Sequence, residues 1–450
     1  MPLRLPFRLR VGRSALRTAA EPLAWVDSFF ARTREHIFAR EEDGVVILPP
    51  NQVYKANETG IAVVRWLLRG GKIAELPGIG VGNRAREVGD FLADVRDLYT
   101  GEAGTRTLER VPYSFSYTTL PILGEIAVTY RCNNSCLFCY AGCGTGGCHR
   151  AAAAPPEEMT LGEIERIIRV FKDDARIPFF SFTGGEPLLR DDLEKMIRFA
   201  RRLGLQVNLI TNATLVDRGR ARSLFRAGLR TAQVSIEGTE EAEHDLLTAS
   251  PGSFRATIEG IANLQRAGIS VQTNTTITAL NAPRAPLMPA FLKRLGVSRF
   301  AMNLYIPARA AGQRAADLFF PYSKAGDVIE TVRKAARAEG MTFYWYSPIP
   351  HCSYNPIARG LGNKSCAAMD GLLSVSPTGD VLPCSSYALP MGNLLREPFR
   401  EIWFSDRALH FKNKLYAPAQ CAGCEGFTAC QAACPLYWEY AGTEEIRACR

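Results

Sequence analysis

The sequence predicts an α/β fold with a parallel sheet at its centre. Three observations predict it: six apolar, β-rich stretches recur between residues 124 and 305, amphipathic helical stretches separate them, and helix-start and helix-stop signals mark the joins. Strands that alternate with helices in this way run parallel, because each helix carries the chain back across the sheet. The sheet is therefore either doubly wound or curved into a partial barrel.

At 450 residues the chain has room for two or three domains, and its 47% hydrophobic and 22% charged composition is that of an ordinary soluble protein. No run approaches the roughly eighteen apolar residues of a membrane span, and no secretory pattern opens the chain. The expected location is the cytoplasm, with no membrane partner.

Residues 1–40 read as a basic arm. Arg4, Arg8, Arg10, Arg13 and Arg17 supply +5 of the net +9, with no acid among the first twenty residues. Such an arm can touch nucleic acid, but a solvated leader is the simpler reading, and no function is assigned to it. Residues 41–105 read as a module of their own. Within it, "GVVILPPNQVYKANETGIAVVRWLLRGG" offers an apolar strand, a Pro-Pro-Asn turn, a second strand, and a helix running from near Asn57 to Gly70 and Gly71. A polar helix follows from about Arg84 to Tyr99. The module holds no cysteine and no evident chemistry, which points to binding.

Residues 115–340 carry the strand–helix series. The strands are "GEIAVTY" (124–130), "PFFSFT" (178–183), "LQVNLIT" (205–211), "TAQVSI" (231–236), "ISVQTNTTI" (269–277) and "SRFAMNLY" (298–305). Thr160 and Glu163 form a capping box ahead of "LGEIERIIRVFK", and Gly204 stops "DDLEKMIRFARRLG". Residues 341–450 are rich in Cys, Gly and Pro, and stretches such as "CAGCEGFTACQAACP" have too little apolar periodicity for a core. Metal would have to supply the cross-links there.

Thirteen cysteines are many for a reducing compartment, and they are clustered: five fall within residues 132–148 and eight after residue 351. In "RCNNSCLFCY", Cys132, Cys136 and Cys139 follow the first strand, at the edge where parallel α/β folds build active sites. Three thiolates are one short of a closed tetrahedral site. Cys143, Cys148 or His149 could close it around zinc, or the fourth position could stay open on an iron-sulfur cluster. On the zinc alternative the chain is a zinc-stapled nucleic-acid-binding protein that uses its basic arm.

With Phe138 before the third cysteine, C-x-x-x-C-x-aromatic-C after the first strand resembles the radical S-adenosylmethionine (radical SAM) superfamily, and "FTGGEPLL" after the second strand strengthens the resemblance. It implies a partial (β/α)6 TIM-like barrel in which Cys132, Cys136 and Cys139 hold a 4Fe-4S cluster. In that family the amino and carboxylate groups of SAM complete the open iron, and an electron then cleaves the sulfonium to methionine and a 5'-deoxyadenosyl radical that abstracts hydrogen. The resemblance assigns Gly184, Gly185 and Glu186 to the methionyl end of SAM, and Asn212, Ser235 and Glu237 to its ribose and carboxylate. Two positions depart from the pattern: Ala213 stands where glycine is common, and Thr248 where many relatives carry arginine.

The late cysteines resemble the SPASM extension of radical SAM enzymes: Cys366, twelve residues, Gly379, four residues, Cys384, then C-x2-C-x5-C-x3-C through Cys421, Cys424, Cys430 and Cys434, then Cys449. The resemblance implies two auxiliary 4Fe-4S clusters. One uses Cys366, Cys384 and Cys434 with Cys352 as fourth ligand, and the other uses Cys421, Cys424, Cys430 and Cys449. Cys143 and Cys148 remain as free thiols near the active site.

The early module resembles the small, winged-helix-like peptide chaperone of pyrroloquinoline quinone biosynthesis, which captures a leader peptide as an added strand. Together the resemblances imply a maturase acting on a ribosomally made precursor peptide or a substrate protein, fed by an external electron donor such as flavodoxin or ferredoxin. Alternatives are action on a haem precursor and maturation of a metal-cofactor oxidoreductase. No histidine or carboxylate stands out as a general acid or base.

Overall fold

A computed structural model of the chain describes residues 23–48, 52–101, 107–110, 118–142, 157–308 and 315–446. The arginines of the arm, Cys143, Cys148, His149 and Cys449 lie outside the described residues. The chain divides into two compact units, 1–120 and 121–450.

In the first unit, β1 (Phe38–Arg40), β2 (Val45–Leu48), β3 (Gln52–Lys55) and β4 (Glu109–Arg110) form an antiparallel sheet in that order. The expected helices are present as Glu58–Leu68 and Arg84–Thr100. Asn57 caps the first by accepting from Gly60 N at 2.8 Å, and Gly101, at a φ of 83°, ends the second. The boundary at residue 41 is corrected. Helix Val26–Thr33 and β1 belong to the module, because Val26, Phe29, Phe30 and Ile37 are buried in its core with Ile61, Val64 and Leu92. A buried Arg40–Asp43 pair at 2.7 Å closes the unit, with Arg40 also donating to Leu120 O.

In the second unit, β5 (Leu123–Thr129), β6 (Phe179–Gly184), β7 (Gln206–Thr211), β8 (Thr231–Ser235), β9 (Ser270–Ile277), β10 (Arg299–Leu304) and β11 (Thr342–Trp345) lie side by side in chain order, each parallel to the next. An unbroken order has no switch point. The doubly wound alternative therefore falls and the partial barrel stands. The Thr160–Glu163 capping box is formed, and Phe171 of the helix it starts meets Phe180 of β6 edge-on.

The late region shares the barrel's sheet instead of resting on metal alone. β12 (Leu372–Val375) pairs in parallel with β5, and β13 (Asp380–Leu382) and β14 (Gly392–Asn393) extend the sheet antiparallel. Trp403 and Tyr437 are fully buried behind it. A four-residue strand, "LLSV", is too short to register as a periodic signal, yet it suffices once an existing edge offers hydrogen bonds. Among the described residues no helix is long and apolar enough to cross a membrane.

Candidate active site

The first three cysteines lie on the loop leaving β5, and backbone hydrogen bonds hold that loop from two sides. Ser135 N donates to Thr248 O at 3.0 Å and Leu137 N to Leu247 O at 2.9 Å, tying the loop to the end of helix Glu241–Thr248. On the other side Gly185 N donates to Thr129 O at 2.8 Å and Glu186 N to Arg131 O at 2.9 Å. Thr248 has thus taken a bracing role, its side chain buried against Ser253 at 2.7 Å.

The two glycines are needed for this contact. A Cβ on Gly184 would run into Thr129 O, and one on Gly185 into Arg131 O; Gly184 also adopts a φ of 138°. Glu186 is fully buried. Its carboxylate accepts from Leu188 N at 3.0 Å, Thr211 Oγ1 at 2.8 Å and Asn212 N at 2.8 Å, so it clamps the ends of β6 and β7 together. Burial pushes its pKa up to about 7, outweighing those three donors.

Asn212 reaches the cysteine loop directly, donating to Asn133 Oδ1 at 2.9 Å with its amide nitrogen 4.0 Å from Cys132 Sγ. Ala213 sits at a φ of 59°, the left-handed conformation that favours glycine, which explains why glycine is common at this position. Ser235 is half-buried at the end of β8, in register with Asn274. Glu237 is buried, accepts from Thr276 N at 2.8 Å, and has its pKa raised to about 8 by burial. It also faces Cys136: burial first, then the Glu237 charge, then Cys139 and Cys132 push that thiol well up. The cysteine loop, the Gly184–Glu186 turn, Asn212 and Glu237, which leave separate strands, are therefore joined to one another at one end of the sheet.

Along the barrel the inward faces of the strands are polar. Phe180, Phe182, Leu209, Val234 and Phe300 point out toward the helices, while Ser181, Asn208, Gln233, Gln272, Asn274 and Asn303 are half-buried on the opposite face. They bond one another: Asn208 Nδ2 to Ser181 Oγ at 3.2 Å, Asn274 Nδ2 to Asn303 Oδ1 at 2.6 Å, and Gln272 Nε2 to Tyr346 OH at 2.6 Å. Asn274 Oδ1 is buried without a partner. Along these strands the sole basic side chain on the inward face is Arg299, at the start of β10.

Sequence reasoning missed Glu125 and Tyr140. Glu125, the lone acid in "GEIAVTY", accepts from Ser374 Oγ at 2.6 Å and from Ser385, and its charge acts on Cys384 on one side and Tyr140 on the other. Tyr140 follows Cys139, and its hydroxyl donates to Gly184 O at 3.3 Å. A charged residue inside an apolar strand was the signal that could have found the first of them.

The late cysteines gather in two groups. Cys366, Cys384 and Cys434 share a dry pocket: burial and then Cys366 push the Cys384 thiol up to about 12, and burial, then Cys366 and Cys384, push the Cys434 thiol well up. The buried hydroxyls of Tyr322 and Tyr416 stand beside Cys366 and Cys434, Tyr416 against the Cys366 side chain and Tyr322 against the Cys434 backbone. Cys421, Cys424 and Cys430 form the second group, and Cys352 joins them, not the first: all four line one small cavity with Phe427 and Trp438. The sequence-based grouping of Cys352 is corrected accordingly, because the turn at Pro350 carries it there. Among the described residues no group of three or more His, Cys, Asp or Glu side chains closes on a single-ion site. The thiols around a 4Fe-4S cluster stand farther apart than the donors of a lone ion, since irons and sulfides lie between them. Soft sulfur donors in dry pockets, with phenol hydroxyls beside them able to donate to sulfur, fit such a group.

A parallel partial barrel with a three-thiol loop at its strand ends and further thiol groups on the same sheet defines an iron-sulfur barrel enzyme. Residues 126–285 match the Radical SAM superfamily, and residues 366–425 match SPASM, an iron-sulfur cluster-binding domain. The chain is a radical SAM enzyme with a SPASM domain, and its cofactors are SAM and 4Fe-4S clusters. It is 28% identical to the AdoMet-dependent heme synthase of Nitratidesulfovibrio vulgaris over 67% of this chain and 84% of that one. To the PqqA peptide cyclase of Streptomyces rochei it is 29% identical over 63% and 76%. Streptococcus suis SuiB bound to S-adenosylmethionine has the same fold over 90% of this chain and 97% of its own, with a TM-score of 0.66 at 16% identity. SuiB bound to its precursor peptide SuiA gives a TM-score of 0.64 at 15% identity, over 89% and 95%.

Proposed function

We propose that this enzyme matures a peptide, removing hydrogen from a side chain or α carbon of a ribosomally made precursor before cross-linking or oxidation. The observation that carries the reading is the carboxamide and hydroxyl lining of the barrel, with its unpartnered acceptor on Asn274. Neutral amide donors and acceptors suit a peptide backbone, whose every residue brings an N–H and a C=O needing partners. A haem precursor brings several carboxylates into a dry site, where arginine or lysine is the ordinary counter-charge. The inward faces of the strands offer Arg299 alone.

The fold likeness also supports it, since the chain resembles over 89% of its length a protein captured with its precursor peptide. The terminal strand β1 of the first unit is where a leader would add as a further strand. In the barrel, Cys132, Cys136 and Cys139 hold the first cluster, and Gly184, Gly185, Glu186, Asn212, Ser235 and Glu237 shape the pocket for SAM. The late cysteines hold the auxiliary clusters, and a flavodoxin- or ferredoxin-type protein delivers electrons. When bound, the first cluster and SAM supply the radical; the chain's own residues orient the peptide and exclude water.

The test is to incubate the anaerobically reconstituted enzyme with SAM, a reductant and short peptides encoded beside its gene, in parallel with iron-coproporphyrin. A peptide lighter by two hydrogens is the expected product. Porphyrin decarboxylation with every such peptide unchanged overturns the reading.

A further inference from the structure

The barrel carries a concentrated positive charge on its outer face. Residues 195–230 hold nine lysines and arginines against one acid, Asp217, although the chain beyond this segment and the N-terminal arm is net acidic. Eight of the nine fall on two neighbouring helices, Leu193–Arg202 and Arg218–Ala227, which an Arg220–Glu194 ion pair at 3.2 Å holds side by side. Lys195, Arg198 and Arg202 are exposed on the first helix, and Arg218, Arg222 and Arg226 on the second. At these three- and four-residue spacings the side chains share one face, where like charges repel. Among the described residues Arg198, Arg218, Arg222 and Arg226 make no ion pair.

The stripe on the second helix starts beside the first cysteine loop. Thr214, four residues ahead of Arg218, accepts from Asn133 Nδ2 at 2.7 Å, and Asn133 follows Cys132. Asn212 closes the link, donating to Asn133 Oδ1 at 2.9 Å with its amide nitrogen 4.0 Å from Cys132 Sγ. Asn133 is exposed, and Leu215, next to Thr214, is 40% exposed. Arg218 also lines an open surface groove with Arg255. An apolar side chain with a cation-rich rim therefore lies on the outer surface, one short chain of contacts from Cys132. A small apolar centre for contact and a charged rim for steering suit a short-lived electron-transfer encounter.

We infer that the outer faces of helices Leu193–Arg202 and Arg218–Ala227, together with Leu215, dock a small acidic flavodoxin-type protein that delivers electrons to the cluster of Cys132, Cys136 and Cys139. The inference rests on the proposal that an external carrier feeds this enzyme, and it gives that carrier its landing place. Arg198, Arg218 and Arg222 attract the carboxylates around the flavin, and Leu215 meets the flavin's dimethylbenzene edge, which is apolar. In each transfer one electron leaves the reduced flavin and is taken up by the cluster. A ferredoxin covers its own cluster with a polar loop, which leaves Leu215 unmatched. A nucleic acid would use the charge, but neither the apolar residue nor the nearness to Cys132.

The experiment uses the reconstituted full chain. Oxidised flavodoxin is titrated into it at about 50 and about 300 mM salt. Separately, reduced flavodoxin, reduced ferredoxin or dithionite drives deoxyadenosine formation from SAM. Arg198→Glu, Arg218→Glu and Arg222→Glu combined should weaken flavodoxin binding about tenfold or more at low salt and flatten its salt dependence. The flavodoxin-driven rate should fall in step, with the dithionite-driven rate and the iron content unchanged. The corresponding glutamine triple gives a smaller loss and keeps the readout should the reversals disturb folding. Leu215→Ser should weaken binding alike at both salt concentrations. Lys324→Glu, Lys334→Glu and Arg337→Glu combined, exposed on helix Tyr322–Ala338, make the same change in net charge and should leave binding as in the parent. Binding that the first triple leaves unchanged, an equal loss in this control, or an equal loss of the dithionite-driven rate overturns the inference. So does salt-sensitive binding of duplex DNA that the first triple abolishes while flavodoxin still binds. Reduction by ferredoxin alone overturns the flavodoxin assignment and leaves the external-carrier proposal standing, whereas a parent served by dithionite and by neither protein overturns both. Failure of every peptide substrate leaves these readouts unaffected.

Discussion

Gly185 N donates to Thr129 O at 2.8 Å, and the same glycine lies so close to Arg131 O that a side chain could not be inserted. The strand-end glycines therefore shape the cysteine loop before any cofactor arrives. Gly185→Ala is expected to displace Arg131 and the neighbouring Cys132. The variant should lose about four of the roughly twelve irons of the reconstituted protein and all SAM-dependent deoxyadenosine formation, while keeping both auxiliary signals. Iron analysis with electron resonance, with and without SAM, checks it; full iron and a normal response to SAM would show that the loop tolerates the methyl group.

A second close approach secures the end of β7. A Cβ on Gly260, in helix Ser253–Arg266, would collide with Ala213 O, and Thr257 Oγ1 of the same helix donates to Asn212 O at 2.9 Å. Gly260→Ala adds good helix propensity but no room. Overpacking of a buried contact costs about 1–3 kcal/mol, which exceeds the gain of about 1 kcal/mol from replacing a mid-helix glycine. Chemical denaturation of the variant should show a lower midpoint than the parent.

Glu186 gives the second unit a pH dependence. Its carboxyl has a folded pKa of about 7 against an ordinary 4.5, so the folded state holds the proton more tightly than the unfolded chain. Its contribution to stability is full below pH 4.5 and is lost as pH rises through 7. The difference corresponds to an order of about 3 kcal/mol. Glu186→Gln cannot ionise and should flatten the decline in unfolding free energy between pH 5 and pH 8, at the cost of one lost acceptor, about 1–3 kcal/mol. Equal slopes in the two proteins would rule out Glu186 as the source.

Much of the barrel was legible because local and tertiary signals agree there. The six expected strands are found within a residue or two, and the Thr160 cap and the Asn57 cap are formed as read. Helix Val26–Thr33 was hidden in a stretch classed by its upstream arginines, although Val26, Phe29, Phe30 and Thr33 already mark one buried face. β12 was missed because four residues carry no period, and only the exposed edge of β5 makes them a strand. At the site, the identities of the cysteines were legible and their partnership was not. Spacing along the chain says nothing about the turn that carries Cys352 to Cys430. Glu186 and the paired glycines are required by backbone approach, which sequence shows as a motif without its reason.

The polar lining of the barrel makes a kinetic prediction. Asn274 bonds Asn303 at 2.6 Å and leaves its own carbonyl oxygen unpaired, at the level of Ser235 on the neighbouring strand. Removing its amide by Asn274→Leu deletes one acceptor for the peptide and strands Asn303. Losing one to two hydrogen bonds of about 1–1.5 kcal/mol each corresponds to roughly a ten- to hundredfold fall in kcat/KM for the peptide. Slow SAM cleavage without peptide should be unaltered, because the cysteine loop and the Glu186 clamp are untouched. Parallel measurement of deoxyadenosine release with and without peptide separates the two; an equal fall in both would mean that Asn274 serves the SAM pocket instead.

Cluster loading should release protons and depend on pH. Burial and neighbouring thiols push Cys384 up to about 12 and Cys421 up to about 11, so both are protonated in the apoprotein at neutral pH. Each must lose its proton to bind iron, and iron's positive charge offsets the repulsion between neighbouring thiolates. Reconstitution at pH 8.5 should therefore fill the auxiliary sites faster than at pH 6.5, with acid appearing in weakly buffered solution as iron and sulfide are taken up. Cys384→Ala should reduce the proton yield together with the auxiliary signal. Proton release that is independent of pH and unchanged in that variant would mean that the thiols enter the reaction already ionised.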